Sequence, residues 1–261
     1  MSGGQATDTT QAVEVLNPQG AGAVLILCEH ASNHIPARYE NLGLAPEVQT
    51  SHAAWDPGAR AVGALMSAAL DAPMVASCVS RLVYDCNRPP EAPSAMPERS
   101  EKYDIPGNRD LSRAAVDERV ATVYRPFCAK VTEVIHARKS AGLPTALVTI
   151  HSFTPVYFGV HRTVEIGVLH DDDSRLADAM LANAPLLPHR RIERNEPYGP
   201  ADGVTHSLRI HGQANGLANV MIEVRNDLLR KAQDEQAIAD ELLALLQPAL
   251  DAIPAEGVAR A

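Results

Sequence analysis

The sequence predicts an α/β fold: a single domain in which a mostly parallel mixed sheet is flanked by helices. Short apolar segments of strand length alternate along the chain with segments whose apolar residues recur at helical spacing. The segment 23–28 is apolar without interruption, which is typical of a strand covered on both faces, and one acid breaks the apolar run of 220–225. Since no internal repeat or linker divides the chain, we expect one domain over residues 21–261, preceded by a flexible N-terminal arm of residues 1–20.

Five segments are predicted to be strands because each is a short apolar run of strand length. In chain order they are 23–28, 74–79, 145–150, 164–169 and 220–225. Helical spacing predicts helices over 59–70, 111–141, 174–183 and 234–250. Pro126 is expected to kink or split the second helix. The segments 89–110 and 193–207 are predicted to be long loops of the kind that often serve function.

Composition excludes several classes of partner. The 261 residues include 23 Lys+Arg against 32 Asp+Glu, a formal net charge of −9. Nucleic acids and anionic membranes both require a concentrated basic surface, so neither is expected as a partner. No apolar run approaches the ~20 residues of a membrane span. The four cysteines form no C-x-x-C pair, and we expect them to be small buried apolar residues with reduced thiols. A cytoplasmic protein is therefore predicted. The oligomeric state is left open.

Polar residues that could serve catalysis lie just after, or within, three of the predicted strands. His30 and His151 follow directly after strands, and Glu223 lies within the last one. Carboxyl ends of parallel strands meet at one edge of a sheet, so two imidazoles and a carboxylate would gather there as a metal site with its base. Each residue alone also has an ordinary interpretation: a hydrogen-bonded surface histidine, or a glutamate facing solvent on an edge strand.

A second group of polar residues surrounds Asp85. Arg81, Asn87 and Arg88 lie close to it in sequence and precede a proline-rich loop. Two arginines and an asparagine are suited to bind a carboxylate, since the planar guanidinium matches two oxygens at once. The alternative is that Arg81 and Arg88 form structural salt bridges with Asp85 and nearby acids.

These residues resemble motifs of known families. Residues 151–154, 85–88 and 222–225 resemble the second metal-histidine motif, the substrate-carboxylate motif and the catalytic-glutamate strand of the zinc carboxypeptidase and aspartoacylase superfamily. The chain more closely resembles the N-formylglutamate amidohydrolase family, over about residues 24–245. The segments that carry this closer resemblance are 29–36, 55–59, 80–89, 195–198 and 223–227. It implies a zinc-exopeptidase-like (phosphorylase/hydrolase-like) fold, with residues 21–261 as the catalytic domain, and a role in amino-acid catabolism such as histidine degradation.

The resemblance also implies a cofactor, a substrate and residue roles. Zn²⁺ or another divalent transition metal would be held by His30, Asp56 and His151, and Glu223 would move the proton. The substrate would be a small anionic N-acyl amino acid, foremost N-formyl-L-glutamate, which gives formate and L-glutamate.

Five further residues would contact this substrate. Asn87, Arg88 and Arg225 are assigned to substrate binding. Arg81 would support the carbonyl oxyanion or bind a second carboxylate. Tyr198 would close over the site, although a plain surface tyrosine is the alternative.

Two departures from the family patterns bear on these roles. The carboxypeptidase motif H-x-x-E is replaced here by a sequence ending in Asn33, which is a poor zinc ligand. Asp56 is therefore the preferred third ligand, with a helix N-cap as its alternative role and with Glu29 and His34 as substitute ligands. Cys128 stands where the family often has a histidine.

Other functions remain open at this stage. The chain could hydrolyse other N-acyl amino acids or small peptides, or it could be a metal-free carboxylate-binding protein of the same fold. A serine hydrolase using Ser32 or Ser152 is a further alternative, but the sequence has no G-x-S-x-G motif.

Overall fold

A seven-stranded mixed sheet forms the centre of the molecule, described here over residues 11–253 in a computed structural model. The strands are β1 (Val13–Leu16), β2 (Val24–Cys28), β3 (Met74–Ser77), β4 (Arg99–Ser100), β5 (Tyr103–Asp104), β6 (Ala146–Phe153), β7 (Val156–Tyr157), β8 (Val160–His161), β9 (Ile166–Leu169), β10 (Ile192–Arg194) and β11 (Asn219–Arg225). The sheet order is β1-β3-β2-β6-β11-β9-β10, while β4–β5 and β7–β8 form separate two-stranded pairs. The predicted α/β fold with a mostly parallel mixed sheet is confirmed.

The direction of the strands determines which ends meet. β3, β2, β6 and β11 run parallel to one another, so their carboxyl ends lie along one edge. β1 is antiparallel to β3, and β9 is antiparallel to β11. The polar segments that follow the parallel strands are thereby brought to the same side of the molecule.

Both faces of the sheet are buried, which explains the uninterrupted apolar runs. Along β2, Ile26 and Cys28 belong to one apolar core, and Leu25 and Leu27 belong to the other. Successive side chains of a strand point to opposite faces, so a strand covered on both sides needs apolar residues at every position.

The described residues form six α-helices: α1 (Pro46–Gln49), α2 (Ala59–Ala69), α3 (Arg113–Arg119), α4 (Arg125–Ser140), α5 (Arg175–Ala182) and α6 (Ala232–Ala252). Apolar residues of α2, α5 and α6 form one core, and those of α4 form the other. A π-helical turn separates α3 from α4, and Pro126 lies in the first turn of α4, so the predicted division of the long helix is confirmed. Among residues 11–253, no helix combines the length and apolar character that crossing a membrane requires.

The N-terminal segment differs from the expected arm. Residues 13–16 form the edge strand β1, whose register pairs Val13 with Ser77 of β3, and Val13 is buried. The polar Glu14 alternates with apolar neighbours there, as expected for an edge strand with one exposed face. Residues 1–10 of the expected arm and residues 254–261 of the expected domain lie outside the described residues.

Candidate active site

The register of β6 and β11 brings two predicted site residues together. Glu223 of β11 is the direct partner of His151 of β6, so the two side chains leave neighbouring parallel strands on the same face. His30, two residues beyond β2, completes the group: its ring centroid lies 4.8 Å from that of His151, with the ring planes at 68°. The strand ends that carry these residues therefore converge, as the sequence predicted.

Asp56, from the turn before α2, meets both histidines. Its Oδ2 lies 3.2 Å from Nδ1 of His30 and 2.8 Å from Nδ1 of His151, and the two Nδ1 atoms are 3.1 Å apart. Ligand atoms bound at ~2.0–2.1 Å around a tetrahedral ion lie ~3.3 Å from one another. These three buried atoms therefore have nearly the spacing of one face of a coordination tetrahedron and could bind a metal ion.

Asp56 does not cap α2. The N-cap position belongs to Gly58, whose φ of 82° is left-handed and which makes no side-chain cap hydrogen bond. The carboxylate of Asp56 is thus free to face the histidines, and its Oδ2 also accepts a hydrogen bond from the backbone N–H of Ser152 at 3.3 Å.

Two more carboxylates lie behind the histidines. Nε2 of His30 is 2.7 Å from Oδ1 of Asp85, and Nε2 of His151 is 3.2 Å from Oε2 of Glu29. A carboxylate at Nε2 favours the proton on that nitrogen and leaves Nδ1 as a lone pair directed inward, the usual arrangement behind metal-binding histidines. Glu29 is therefore on the far side of His151 from Asp56 and is not placed as a substitute ligand.

The structure also shows where His34, the other substitute ligand, and Asn33 lie. His34 is exposed and lies outside the cluster. The amide of Asn33 donates to the carbonyl of Gln49 at 3.0 Å, a structural contact. Cys128 is partly buried against the core on the α4 side, and burial raises the pKa of its thiol to about 11.

The charges of the cluster do not balance by themselves. Burial alone would raise the pKa values of Glu29, Asp56 and Asp85, but the neighbouring imidazoles hold all three below their usual range, and Arg81 does so for the two aspartates. Arg81 donates to Oδ1 of Asp56 at 3.2 Å and to Oδ2 of Asp85 at 2.8 Å. Three buried carboxylates thus face one guanidinium. Burial alone would lower the pKa of the His151 imidazole, but Glu29 and Asp56 raise it well above its usual value, so a proton there offsets part of the negative charge. When both imidazoles are neutral, as metal ligands are, the surplus is two negative charges, which one divalent cation would supply.

Glu223 differs from these three carboxylates. Burial raises its pKa to about 7, and among residues 11–253 its Oε2 has no hydrogen-bond partner. It faces the cavity that also contains His30, Asp56 and His151. A carboxyl group with a pKa near 7 can accept and release a proton at neutral pH, as general acid–base catalysis requires.

The cavity in front of the cluster has a volume of about 330 Å³. This is at the low end of ligand pockets, which span roughly 300–1,000 Å³, and suits a small substrate. Its walls include four of the residues predicted to act on the substrate: Arg81, Asn87, Arg88 and Tyr198.

Asn87 and Arg88 differ in how free their side chains are. Asn87 uses both ends of its amide within the protein, donating to the carbonyl of Val204 at 2.5 Å and accepting from the N–H of Ser207 at 2.9 Å. Arg88 donates to the carbonyl of Asn87 at 2.9 Å, and within the described part of the chain no carboxylate oxygen lies within 4.0 Å of its guanidinium. Arg88 thus remains available to an anionic ligand.

Arg225 is not at the cavity. Its guanidinium donates to Oδ1 of Asp227 at 2.7 Å and to the carbonyls of Arg162 at 3.2 Å and Val164 at 3.4 Å. Because these contacts occupy the guanidinium, they favour a structural role for Arg225 over the substrate-binding role that the sequence suggested. The two serines of the alternative hydrolase are also engaged: Ser152 Oγ donates to the carbonyl of Pro57 at 2.8 Å, and Ser32 Oγ accepts from the N–H of His34 at 3.0 Å.

Sequence reasoning missed Arg162, which follows β8. Its Nη1 donates to the hydroxyl of Tyr198 at 2.8 Å, and its guanidinium lies over the rings of Tyr157 and Tyr198. Burial raises the pKa of Tyr198 to about 12, so the hydroxyl stays protonated. The local sequence around Arg162 has no periodicity or motif that would have indicated its place beside Tyr157 and Tyr198.

The fold and the cluster together define a class of protein. The strand ends of this mostly parallel sheet carry a possible His-Asp-His metal site next to a carboxyl group with a pKa of about 7. This combination is typical of a hydrolytic enzyme. The family model for N-formylglutamate amidohydrolase matches residues 22–230, and the chain belongs to that family. The resemblance found in the sequence is confirmed, and the chain is an amidohydrolase.

Solved structures are similar to this chain, among them the following two. A gene product of Agrobacterium tumefaciens is 56% identical, with a TM-score of 0.91 over 92% of this chain and 95% of that chain. An N-formylglutamate amidohydrolase from Ralstonia eutropha JMP134 is 18% identical, with a TM-score of 0.67 over 92% of this chain and 98% of that chain. At that identity the second structure supports the fold alone. Among curated proteins, none matches.

Proposed function

We propose that this amidohydrolase is metal-dependent and cleaves the amide of an N-acyl amino acid, converting N-formyl-L-glutamate to formate and L-glutamate. The observation that carries the proposal is the set of three inward-facing atoms, Nδ1 of His30, Nδ1 of His151 and Oδ2 of Asp56, all within 3.2 Å of one another beside Glu223. The family supports the formyl substrate, and the small cavity supports a short acyl group.

His30, Asp56 and His151 would hold Zn²⁺ or another divalent transition metal. When bound in such a site, the ion lowers the pKa of water from ~15.7 to ~7 and polarises the carbonyl that is attacked. With both imidazoles neutral, the cluster has a surplus of two negative charges, and this supports the assignment because an ion of charge +2 would neutralise it.

Glu223 would move the proton. Its carboxylate takes a proton from the attacking water as the oxygen–carbon bond forms, and returns that proton to the amide nitrogen as the carbon–nitrogen bond breaks. A pKa of about 7 suits both directions of transfer. Glu223 lines the cavity, and within the described part of the chain its Oε2 accepts no hydrogen bond, so this oxygen is available for the role.

The guanidinium of Arg88 would bind the α-carboxylate of the substrate. Asn87 would support Arg88 by fixing the backbone through its hydrogen bonds with Val204 and Ser207. Arg81 is engaged by Asp56 and Asp85, so its part would be to keep the metal ligand in place next to the reacting carbonyl.

The test is hydrolysis of N-formyl, N-acetyl and N-succinyl amino acids by protein that has been stripped of metal and reloaded. We expect activity on the formyl substrate that a chelator removes and Zn²⁺ restores. Glu223→Gln should keep its metal content and melting temperature while kcat falls by about 10²–10⁴-fold. Glu133→Gln, at a residue whose side chain is 66% exposed, is the matched control and should be unchanged. Activity that survives chelation, or an unchanged kcat in Glu223→Gln, would reject the mechanism.

A further inference from the structure

The wall of the cavity contains a histidine that the proposed reaction does not use. His52 lines the cavity together with Asp56, and the side chain of His52 is 25% exposed. The indole N–H of Trp55 donates to the carbonyl of Thr50 at 3.3 Å and so closes the turn between these two positions, on which His52 lies. His52 and the proposed metal ligand Asp56 therefore belong to one short segment at the edge of the cavity.

A buried carboxylate orients the ring of His52. Oε2 of Glu101 lies 3.0 Å from Nε2 of His52, and the side chain of Glu101 is 7% exposed. The other oxygen of this carboxylate, Oε1, accepts from the backbone N–H of Phe158 at 3.0 Å, so the carboxylate is itself held in place. Since a carboxylate only accepts hydrogen bonds, Nε2 of His52 carries the proton in this contact.

The second ring nitrogen of His52, Nδ1, is left for a ligand. Within the described part of the chain, no hydrogen bond occupies this atom. Burial lowers the pKa of His52, and Glu101 offsets this effect only in part, so the ring is mostly neutral at pH 7. A neutral imidazole that donates from Nε2 can only accept at Nδ1. His52 thus presents a hydrogen-bond acceptor at the cavity.

The proposed substrate has a donor that suits this acceptor. In an N-acyl amino acid the carbonyl and the carboxylates only accept hydrogen bonds, whereas the amide N–H donates one. A small ligand that fills a cavity of about 330 Å³ contacts several of its walls at once, and Arg88 and Glu223 form other parts of the same lining.

We propose that His52 is a further residue of the active site, whose Nδ1 accepts a hydrogen bond from the N–H of the amide that is cleaved, and that Glu101 is the residue that positions it. This inference rests on the proposed function, because the donor belongs to an N-acyl amino acid. It adds to that function a residue that recognises the leaving nitrogen.

The hydrogen bond would persist while the amide is cleaved. As the carbon–nitrogen bond breaks, the leaving nitrogen keeps its N–H and takes a second proton from Glu223 through its lone pair, which gives the amine. An acceptor that holds the first N–H sets the direction of this lone pair. His52 therefore contributes orientation and transfers no proton, and Glu101 acts through His52 without contacting the substrate.

The experiment compares N-formyl-L-glutamate with the formyl ester of L-2-hydroxyglutarate, which has an oxygen in place of the N–H and otherwise the same shape. His52→Leu should lower kcat/KM for the amide by about 3- to 10-fold, the usual range for one net hydrogen bond. The value for the ester, corrected for spontaneous hydrolysis, should change by less than about twofold, because the ester has no donor to lose. His52→Asn keeps an acceptor oxygen close to the position of Nδ1 and should recover part of the loss on the amide.

His136→Leu is the matched control, since His136 is exposed on α4 and should leave both values unchanged. Glu101→Gln places an amide next to Nε2, so that the ring can take the tautomer with its proton on Nδ1, and the ratio of amide to ester turnover should fall there too. This variant serves if His52→Leu fails to fold. An equal loss on both substrates in His52→Leu, or an unchanged ratio, would overturn the proposal.

A spectroscopic measurement separates this inference from the proposed function. ¹⁵N NMR of histidine-labelled, Zn²⁺-supplemented Glu223→Gln protein requires no turnover, and the signals that are missing in His52→Asn identify His52. N-formyl-L-glutamate should shift the Nδ1 signal of His52, and the ester should not. This result supports the role of His52 even if wild-type protein hydrolyses neither compound, in which case the proposed reaction alone is rejected. Saturation with N-formyl-L-glutamate, measured by calorimetry, that leaves the Nδ1 signal unmoved rejects the role of His52, whatever the reaction.

Discussion

Glu29 provides a direct test of the carboxylates behind the histidines. Its Oε2 lies 3.2 Å from Nε2 of His151, and the residue is buried. The substitution Glu29→Gln keeps the size of the side chain and an oxygen that can accept from Nε2–H, but removes one negative charge. The surplus charge of the cluster then falls from two to one, so the protein should bind a divalent cation more weakly.

The distance sets the scale of this effect. Two unit charges separated by 3.2 Å interact by about 5 kcal/mol at an effective dielectric constant of about 20. A neutral imidazole with a cation at Nδ1 presents only part of a unit charge at Nε2, so the loss should be a fraction of that value. Changes of this kind weaken metal binding by about 10- to 100-fold, or about 1.4–2.7 kcal/mol.

The assay is competition for Zn²⁺ between the protein and a chromophoric chelator at pH 8, where protons compete little with the metal for the imidazoles. Glu133→Gln is again the control, because it removes the same charge from the surface. A Kd for Glu29→Gln within about threefold of the wild-type value would refute the reasoning. It would mean that the buried carboxylate does not act on the ligand atoms.

Two further predictions concern stability. Arg225→Met should lower the free energy of unfolding in urea by about 2–4 kcal/mol, because it leaves Asp227 and several carbonyls without their donor; a raised KM at unchanged stability would instead favour the substrate-binding role. Burial lowers the pKa of His211 to about 4, so the unfolded chain takes up a proton below pH ~6.5 that the folded chain takes up only near pH 4. Stability should therefore fall by about 2 kcal/mol from pH 7.5 to pH 5, and His211→Gln should abolish this part of the fall; identical pH dependence in the two proteins would contradict it.

Much of the site could be predicted because it follows from strand direction. Apolar runs indicated strands covered on both faces, alternation with helices indicated a parallel sheet, and parallel strands bring their ends to one edge. These patterns were sufficient to predict that His30, His151 and Glu223 lie close together. The register that pairs Glu223 with His151 then follows from the parallel alignment of β6 with β11.

Other features depend on contacts that local sequence does not encode. The Asp-Pro-Gly segment has the pattern of a helix start with Asp56 as its cap, but Gly58 takes the cap position and the carboxylate turns to the histidines. Arg225 follows Glu223 at strand spacing on the same face, yet Asp227 and nearby carbonyls hold it away from the cavity. Nothing in the sequence near Arg162 shows that its guanidinium will lie between the nearby rings of Phe153 and Tyr157 and the distant ring of Tyr198.

The electrostatics of the cluster connects the fold with its proposed chemistry. Glu29, Asp56 and Asp85 come from three separate segments, and each is buried where an isolated carboxylate would be strongly unfavourable. Arg81 offsets one of these charges, and apolar packing offsets none. Two protons on the histidines would also neutralise the cluster, but they would occupy the Nδ1 atoms that face Asp56. A bound divalent cation would leave the Nε2–H of His30 to donate to Asp85 and Nε2 of His151 at 3.2 Å from Glu29, so the inner and outer contacts are compatible with each other.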